Sequence, residues 1–304
     1  QGEATLQLHD KLLSSHLLLT PESPPSIQGN PTLPSLLPTL IDINANIDFA
    51  NNKQLSGKVV IDDLNLFFLK ASLSEVSRLT GLLNSNVNLA GSLSSPRFHG
   101  NIAISNTAIN FVRWQNTLDK STFNLQLLGK KAKLEGQGLV NNDVIKVTGN
   151  FDWQQEFNAR LDLNAEKLHL VHSPQISAEV VPNISLELSE KQLLITGDVT
   201  IKKGSVTINK LPPGSVSLSN DVMIVNDKGE QIKQTTRFSI ASDLNLNIDD
   251  KVNISGYGFD GILGGKLLMK QQPHQNVQLF GNLVIVDGLY RAYGQRLAVT
   301  SGRV

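Results

Sequence analysis

The chain alternates apolar and polar residues with a period of two, and the alternation recurs under a glycine-led pattern. From Gly57, apolar residues fall two, four, seven, nine and eleven positions on: Val59, Ile61, Leu64, Leu66 and Phe68. Gly100 leads Ile102, Ile104, Thr107, Ile109 and Phe111 at the same offsets. Gly197 leads Val199, Ile201, Gly204, Val206 and Ile208, and Gly281 leads Leu283, Ile285, Gly288, Tyr290 and Ala292. A weaker copy starts at Gly149 with Phe151 and Trp153, and a degenerate one is expected near residue 240. Period two puts alternate side chains on opposite faces of a strand, so such units build a long sheet with one apolar face. The apolar parity switches across a two-residue break, as a hairpin or bulge requires if one face is to stay inward. This predicts a strand-pair unit repeated about six times, on the order of 100 Å long with roughly two dozen strands.

The fold class that follows is all-β, an elongated antiparallel sheet with one short helix. The helix is expected over residues 71–83, where Leu73, Val76, Leu79, Leu82 and Leu83 recur at helical spacing and Ser72 with Glu75 offers a capping box. Residues 1–39 read as an irregular segment, because Pro21 to Pro38 holds six of the twelve prolines. The repetitive sheet is expected over residues 40–304. A sheet of this many strands curls or splits, and a single helix cannot cover its apolar face. It must therefore fold over itself, as a closed sandwich or as a long half-pipe. Its inward positions are mainly Leu, Ile and Val, with aromatics only 5% of the chain, so either a dry core or a smooth aliphatic track fits the pattern.

Chemistry-bearing constellations are sparse. The 304 residues contain no cysteine, which excludes disulfides, thiolate metal sites and thiol nucleophiles and suits an oxidising compartment. Twenty-seven basic and twenty-seven acidic residues cancel, so the field that would draw in nucleic acid is missing. His169 and His172 stand three apart in an alternating stretch and so face opposite sides, which does not suit a metal pair. His9, His16, His99 and His274 have no acid or nucleophile at motif spacing. Gly256, Gly258 and Gly261 spell G-x-G-x-x-G, but the residues after them read as strand rather than as the helix a phosphate cradle needs. The acidic pairs Asp62-Asp63 and Asp249-Asp250 are expected in solvated turns at strand ends. Asn183-Ile184-Ser185 and Asn253-Ile254-Ser255 fit a glycosylation sequon without further support. No catalytic residue, cofactor or metal is expected, and the chain reads as a binding protein rather than an enzyme. It begins without methionine and has no long apolar run, so it reads as part of something longer, with any signal or anchor outside it.

One segment carries a family resemblance. Gly281 to Gln295, GNLVIVDGLYRAYGQ, followed by Leu297-Ala298-Val299, resembles the C-terminal conserved domain of the TamB family, most specifically at Tyr290, Arg291, Ala292, Tyr293, Gly294 and Gln295. Gly91, Leu93, Pro96 and Gly100 resemble a repeated element of that family, and Gly197 to Val225, with Leu211-Pro212 and Ser219 to Val222, resembles a further block. The likeness covers nearly all of residues 40–304, and the family's extreme C-terminus is expected beyond Val304. The resemblance implies a β-taco, a folded sheet around a hydrophobic groove. It also implies a periplasmic location with an inner-membrane anchor outside this chain, and the outer-membrane barrel TamA as partner. The implied function is passage of phospholipids between inner and outer membranes. The expected groove lining is Val59, Ile61, Leu64, Leu66, Ile102, Ile104, Ile109, Phe111, Val199, Ile201, Val206, Ile208, Leu283 and Ile285. Two alternatives stand beside it: a periplasmic chaperone or scaffold that aids insertion of outer-membrane proteins, and a closed sandwich acting as a passive spacer.

Overall fold

The computed structural model describes residues 2–20, 40–112, 115–173, 175–208, 238–273, 275–299 and 302–303. Eighteen strands join into one sheet. The proline-rich segment 21–39 lies outside the described residues, as do Leu211-Pro212, Ser219 to Val222 and His274. The first residues of the chain are not irregular: β1 (Gly2–His9) and β2 (Leu12–Leu19) form a hairpin that pairs through β2 with β3 (Leu40–Asp48). The turn is Asp10-Lys11, with φ 43° and 67°. Two consecutive left-handed residues match the right-handed twist of the flanking strands, which is why a two-residue turn closes here.

From β3 the sheet continues as an antiparallel meander through β4 (Gln54–Asn65), β5 (Val76–Ser92), β6 (Ser95–Phe111), β7 (Thr117–Gly129), β8 (Lys131–Val140) and β9 (Asp143–Asp152). The next row is shared end to end by β10 (Asn158–Asn164) and β11 (Leu168–Ser173), both paired with β12 (Ile176–Ser189). Then come β13 (Gln192–Ile208), β14 (Ser239–Gly256), β15 (Phe259–Gln271) and β16 (Gln278–Ala292). β17 (Gln295–Val299) and β18 (Gly302–Arg303) share the last row beside β16. All pairings are antiparallel except β13 with β14, which run parallel. Two shared rows leave sixteen in all, or roughly 70 Å of sheet at ~4.8 Å per row. The sheet is open: β1 and the last row each pair on one side only among the described residues.

Two sequence expectations are corrected here. The units led by Gly100, Gly197 and Gly281 are each a single long strand, not a strand pair, and the two-residue break, also in the Gly57 unit, is a β-bulge within the strand. The register shifts between Ile61 and Leu64 in β4, between Ile104 and Thr107 in β6, between Ile201 and Gly204 in β13, and between Ile248 and Val252 in β14. The acidic pairs Asp62-Asp63 and Asp249-Asp250 therefore sit in mid-strand bulges rather than at strand ends. Asp63 takes φ 53°, and its N–H donates to Asn84 Oδ1 across the row. The second correction concerns the helix. Val76 to Leu83 belong to β5, and the one helix among the described residues is a 3-10 helix, Leu66–Ser72, capped by Asn65, whose side chain accepts from Phe67 N. A shift between Val76 and Arg78 puts one extra residue in β5 and stretches its period of two to the spacing of three from Val76 to Leu79, while Leu79 to Leu83 is two ordinary strand periods across Gly81.

Strand direction separates the clear copies of the repeat from the weak one at Gly149, though not from the degenerate one, which runs parallel to β13. The four clear ones lie in β4, β6, β13 and β16, which all run the same way, whereas the weak copy at Gly149 lies in β9, which runs against them. The degenerate copy is β14, where Leu244 stands in register beside Gly197. The leading glycines share one geometry. A Cβ on Gly100 would collide with the Asn86 carbonyl oxygen of β5, and one on Gly281 with the Lys266 carbonyl oxygen of β15; their φ values are 141° and 135°. Glycine here lets one strand bend tightly over its neighbour. The bends and bulges together curl the sheet. Trp153, beyond β9, stacks on Phe98 of β6 at 5.9 Å between ring centroids, and its Nε1 donates to the Pro96 carbonyl across three rows.

Gly100→Ala should therefore lower unfolding free energy by about 2–4 kcal/mol. Gly294→Ala, where a Cβ meets nothing within 4 Å, should cost only about 1 kcal/mol for its left-handed φ. Chemical denaturation of the two variants checks the difference.

Candidate functional site

Register partners share a face, so the ladder itself defines the inner surface. One row of partners runs unbroken from β2 to β14: Leu17, Ile43, Val59, Val87, Gly100, Leu127, Ala132, Phe151, Ala159, Leu188, Leu193 and Ile240. A second row carries the face across the parallel junction to the last long strand, through Ile201, Ile248, Gly265 and Leu283. Every member is aliphatic, aromatic or glycine. Polar residues stand between these rows on the other face, where Arg160 pairs with Glu187 at 2.9 Å, Lys202 with Asp249 at 3.1 Å and Lys270 with Asp243 at 3.4 Å.

Thirteen of the fourteen residues expected to line a groove occupy strand positions on this one face: those of β4, β6, β13 and β16 named above. The fourteenth, Leu66, begins the 3-10 helix and is 5% exposed. It lies over Gly81, where a Cβ would come within 3.1 Å of Leu66 Cδ1 and 2.7 Å of Thr107 Oγ1. At this level the inward positions of β5 to β8 are small, namely Gly81, Thr107, Ser121 and Gly138, and all four are buried. They form the crease of the folded sheet. Burial then changes along the face. Val87, Val180 and Leu244 in the middle are 5–7% exposed, whereas Leu6 at one end and Leu279 at the other are 73% and 58% exposed. Burial on this face is greatest in the middle rows and falls toward both ends.

Two inner clusters fill the centre. Val87, Leu127 and Ala132 form one; Val140, Leu168 and Val180 form the other, with Leu118, Ile145, Leu170, Val199 and Ile201 packed around it. At roughly 25 cal/mol per Å² of apolar surface removed from water, such contacts hold the walls together without any directional bond.

The other sequence candidates fall elsewhere. Tyr290 to Gln295 form the β16–β17 hairpin, whose turn Tyr293-Gly294 has φ 51° and 78°. Arg291 ties it to the neighbouring hairpin, its N–H donating to the Gly258 carbonyl at 2.7 Å and Nη1 pairing with Asp260 at 2.9 Å. Gly256, Gly258 and Gly261 lie in that β14–β15 hairpin, with strands on both sides. His172 is exposed, and His169 faces the outer surface between Asp143, 2.6 Å from Nδ1, and Glu179, 3.1 Å from Nε2.

Sequence reasoning missed a seam at this point. β11 overshoots the β8–β9 hairpin, so its edge has no backbone partner on that side in the ladder. Side chains replace it. The His169 N–H donates to Asp143 Oδ2 at 2.7 Å, and Asn141 Nδ2 donates to the His169 carbonyl at 2.8 Å. Asn116, 1% exposed, accepts from Val171 N–H at 2.8 Å and donates to the Val171 carbonyl at 3.0 Å, as a strand residue would. Partial burial alone would raise the Asp143 pKa; the His169 N–H and ring, with Lys167, outweigh it and hold the carboxyl below its usual value.

The family comparison agrees with this architecture. The family model described as the TamB C-terminal domain matches residues 132–304, more than half the chain. The chain belongs to the TamB family. A second model, the TamB N-terminal domain, matches residues 39–104. Among curated relatives, the Translocation and assembly module subunit TamB of Haemophilus influenzae is 28% identical over 275 residues, which cover 86% of this chain. The chain spans about a fifth of that relative's length, 21%. No solved structure matches.

Two outcomes are expected at the seam. Asn116→Ala strips both partners from Val171 and should cost about 2–4 kcal/mol, with faster hydrogen exchange at the Val171 amide. A depressed folded pKa means that ionised Asp143 stabilises the fold above the unfolded carboxylate value near 4, and that this contribution is lost as pH falls through the lower folded value. Stability measured from pH 6 down to 3 should decline less steeply in Asp143→Asn than in the parent.

Proposed function

We propose that this chain is a section of a conduit that carries phospholipids across the periplasm between the inner and outer membranes. It works within a translocation and assembly module beside the outer-membrane barrel TamA, and it is a carrier surface rather than an enzyme. The observation that carries the reading is the single aliphatic face, kept through every row from β2 to β16. Acyl chains lie against it, and headgroups remain in water at the slit. Burying a CH₂ group is worth roughly 0.8 kcal/mol, but sliding replaces one aliphatic contact with another of nearly equal strength. A lipid is then held without deep traps along its path. The residues in this role are the fourteen named above, with Leu66 packed at the crease rather than exposed to the lumen.

A second reading has its own support. Among the described residues, β1 and β17 present unpaired edges beside inward residues that are largely exposed, Leu6, Leu8 and Leu297, and an open edge invites strand addition. On that reading the chain holds unfolded outer-membrane strands as a chaperone.

Photocrosslinking separates the two. Benzoylphenylalanine at Ile104 or Ile201 should trap lipid in the first case and polypeptide in the second. Ile104→Asp and Ile201→Asp place a charge on the apolar path, where burial costs several kcal/mol, and should abolish lipid co-purification while leaving distant rows folded. Unchanged lipid content in both variants, with unchanged outer-membrane integrity, refutes the conduit.

A further inference from the structure

At the 3-10 helix, which joins β4 to β5, apolar residues follow Leu66 out to the rim. Leu66 is buried over Gly81 and Thr107, but the next three residues, Phe67, Phe68 and Leu69, are 50–52% exposed. Leu73 and Val112 stand beside them, 44% and 61% exposed. Backbone bonds hold these residues at one rim: Leu73 N–H donates to the Lys70 carbonyl, Val76 N–H to that of Leu73, and Val112 N–H to that of Glu75. Five large apolar side chains are thus left 44–61% exposed at one rim.

Charge and continuity identify the occupant. The helix has no acid in its first turn and carries Lys70 in its last, so a phosphate is tolerated beside the apolar side chains. The patch runs directly into Leu66, Leu79 and Ile109 of the trough. We infer that the helix is a lateral entry ramp, at which the acyl chain of a bilayer phospholipid leaves the membrane surface and slides past Leu66 into the groove. This rests on the conduit reading above and names where lipid is loaded in the wall, away from the ends of the sheet.

The test uses the full chain and vesicles of phosphatidylethanolamine and phosphatidylglycerol carrying a self-quenched fluorescent phospholipid, whose transfer to protein relieves the quenching. The triple variant Phe67→Ser, Phe68→Ser, Leu69→Ser alters only exposed side chains, and circular dichroism checks its fold. It should load lipid about tenfold more slowly, because the apolar contact with the departing chain is lost, yet reach the same end point. Leu128→Ser, an equally exposed apolar residue on the outer face, should load at the parental rate. Benzoylphenylalanine at Phe68 should crosslink to lipid. An unchanged rate in the triple variant overturns the ramp while leaving the conduit intact. A change in oligomeric state without a change in rate shows a self-association face and also overturns it. If the parent chain loads no lipid at all, the conduit reading fails first and the ramp with it.

Discussion

Everything in this molecule depends on parity. A strand presents alternate residues to opposite faces, so a slip of one residue would turn an aliphatic lining into a polar one. Long strands that must bend over themselves are exposed to that error at each bend. The bulges solve it. Between Ile61 and Leu64, or Ile201 and Gly204, one extra residue is absorbed at the bend and the apolar set resumes on the same side. The extra residues are polar and exposed, Asp62-Asp63 and Lys202-Lys203, so the local disruption of the ladder falls where water can satisfy it. Parity also survives the change from antiparallel to parallel pairing at β13 and β14, because register partners share a face in both.

Much of this was legible in the sequence. The offsets from each glycine mark residues of one strand face, since spacing records parity, except where the Gly57 copy runs past β4 into the 3-10 helix at Leu66 and Phe68. What spacing cannot record is whether a parity switch marks a turn or a bulge, and the long strands were therefore read as hairpins. The residues at the break carry the distinction: Asp62-Asp63 and Lys202-Lys203 lack the turn chemistry that Tyr293-Gly294 supplies. The expected helix over residues 71–83 failed for a related reason. A bulge sets Val76 and Leu79 three apart, and Gly81 between two strand periods leaves Leu79 and Leu83 four apart, which together are also the signature of an amphipathic helix. The Asn116 seam had no local signal, because its partner Val171 lies 55 residues away and any polar residue in a loop looks alike until the fold brings it to an edge.

The glycines and the small residues at the crease set how far the walls can approach. Gly81, Thr107, Ser121 and Gly138 leave room for neighbouring rows to curl tightly, and the larger side chains of nearby rows bury one another in the centre. On the conduit reading, an acyl chain there replaces aliphatic contacts between side chains. The exchange is nearly balanced, since one aliphatic contact replaces another and no hydrogen bond between rows has to break for the curl to relax. A sheet with no helix packed across its inner face is free to relax in this way.

The two faces also divide the energetics. Ion pairs such as Arg160–Glu187 and Lys270–Asp243 are exposed on the outer face and contribute little individually, but they keep that face wet and suppress stacking of one sheet on another. Stability then comes from the ladder and from inner contacts between neighbouring rows, both of which are local along the axis. Rows can be added to such a sheet without enlarging any central core, so length and stability are uncoupled. A globular domain has no such freedom, because its buried fraction is tied to its size. That decoupling lets a sheet of this kind grow by adding glycine-led strands without enlarging a central core.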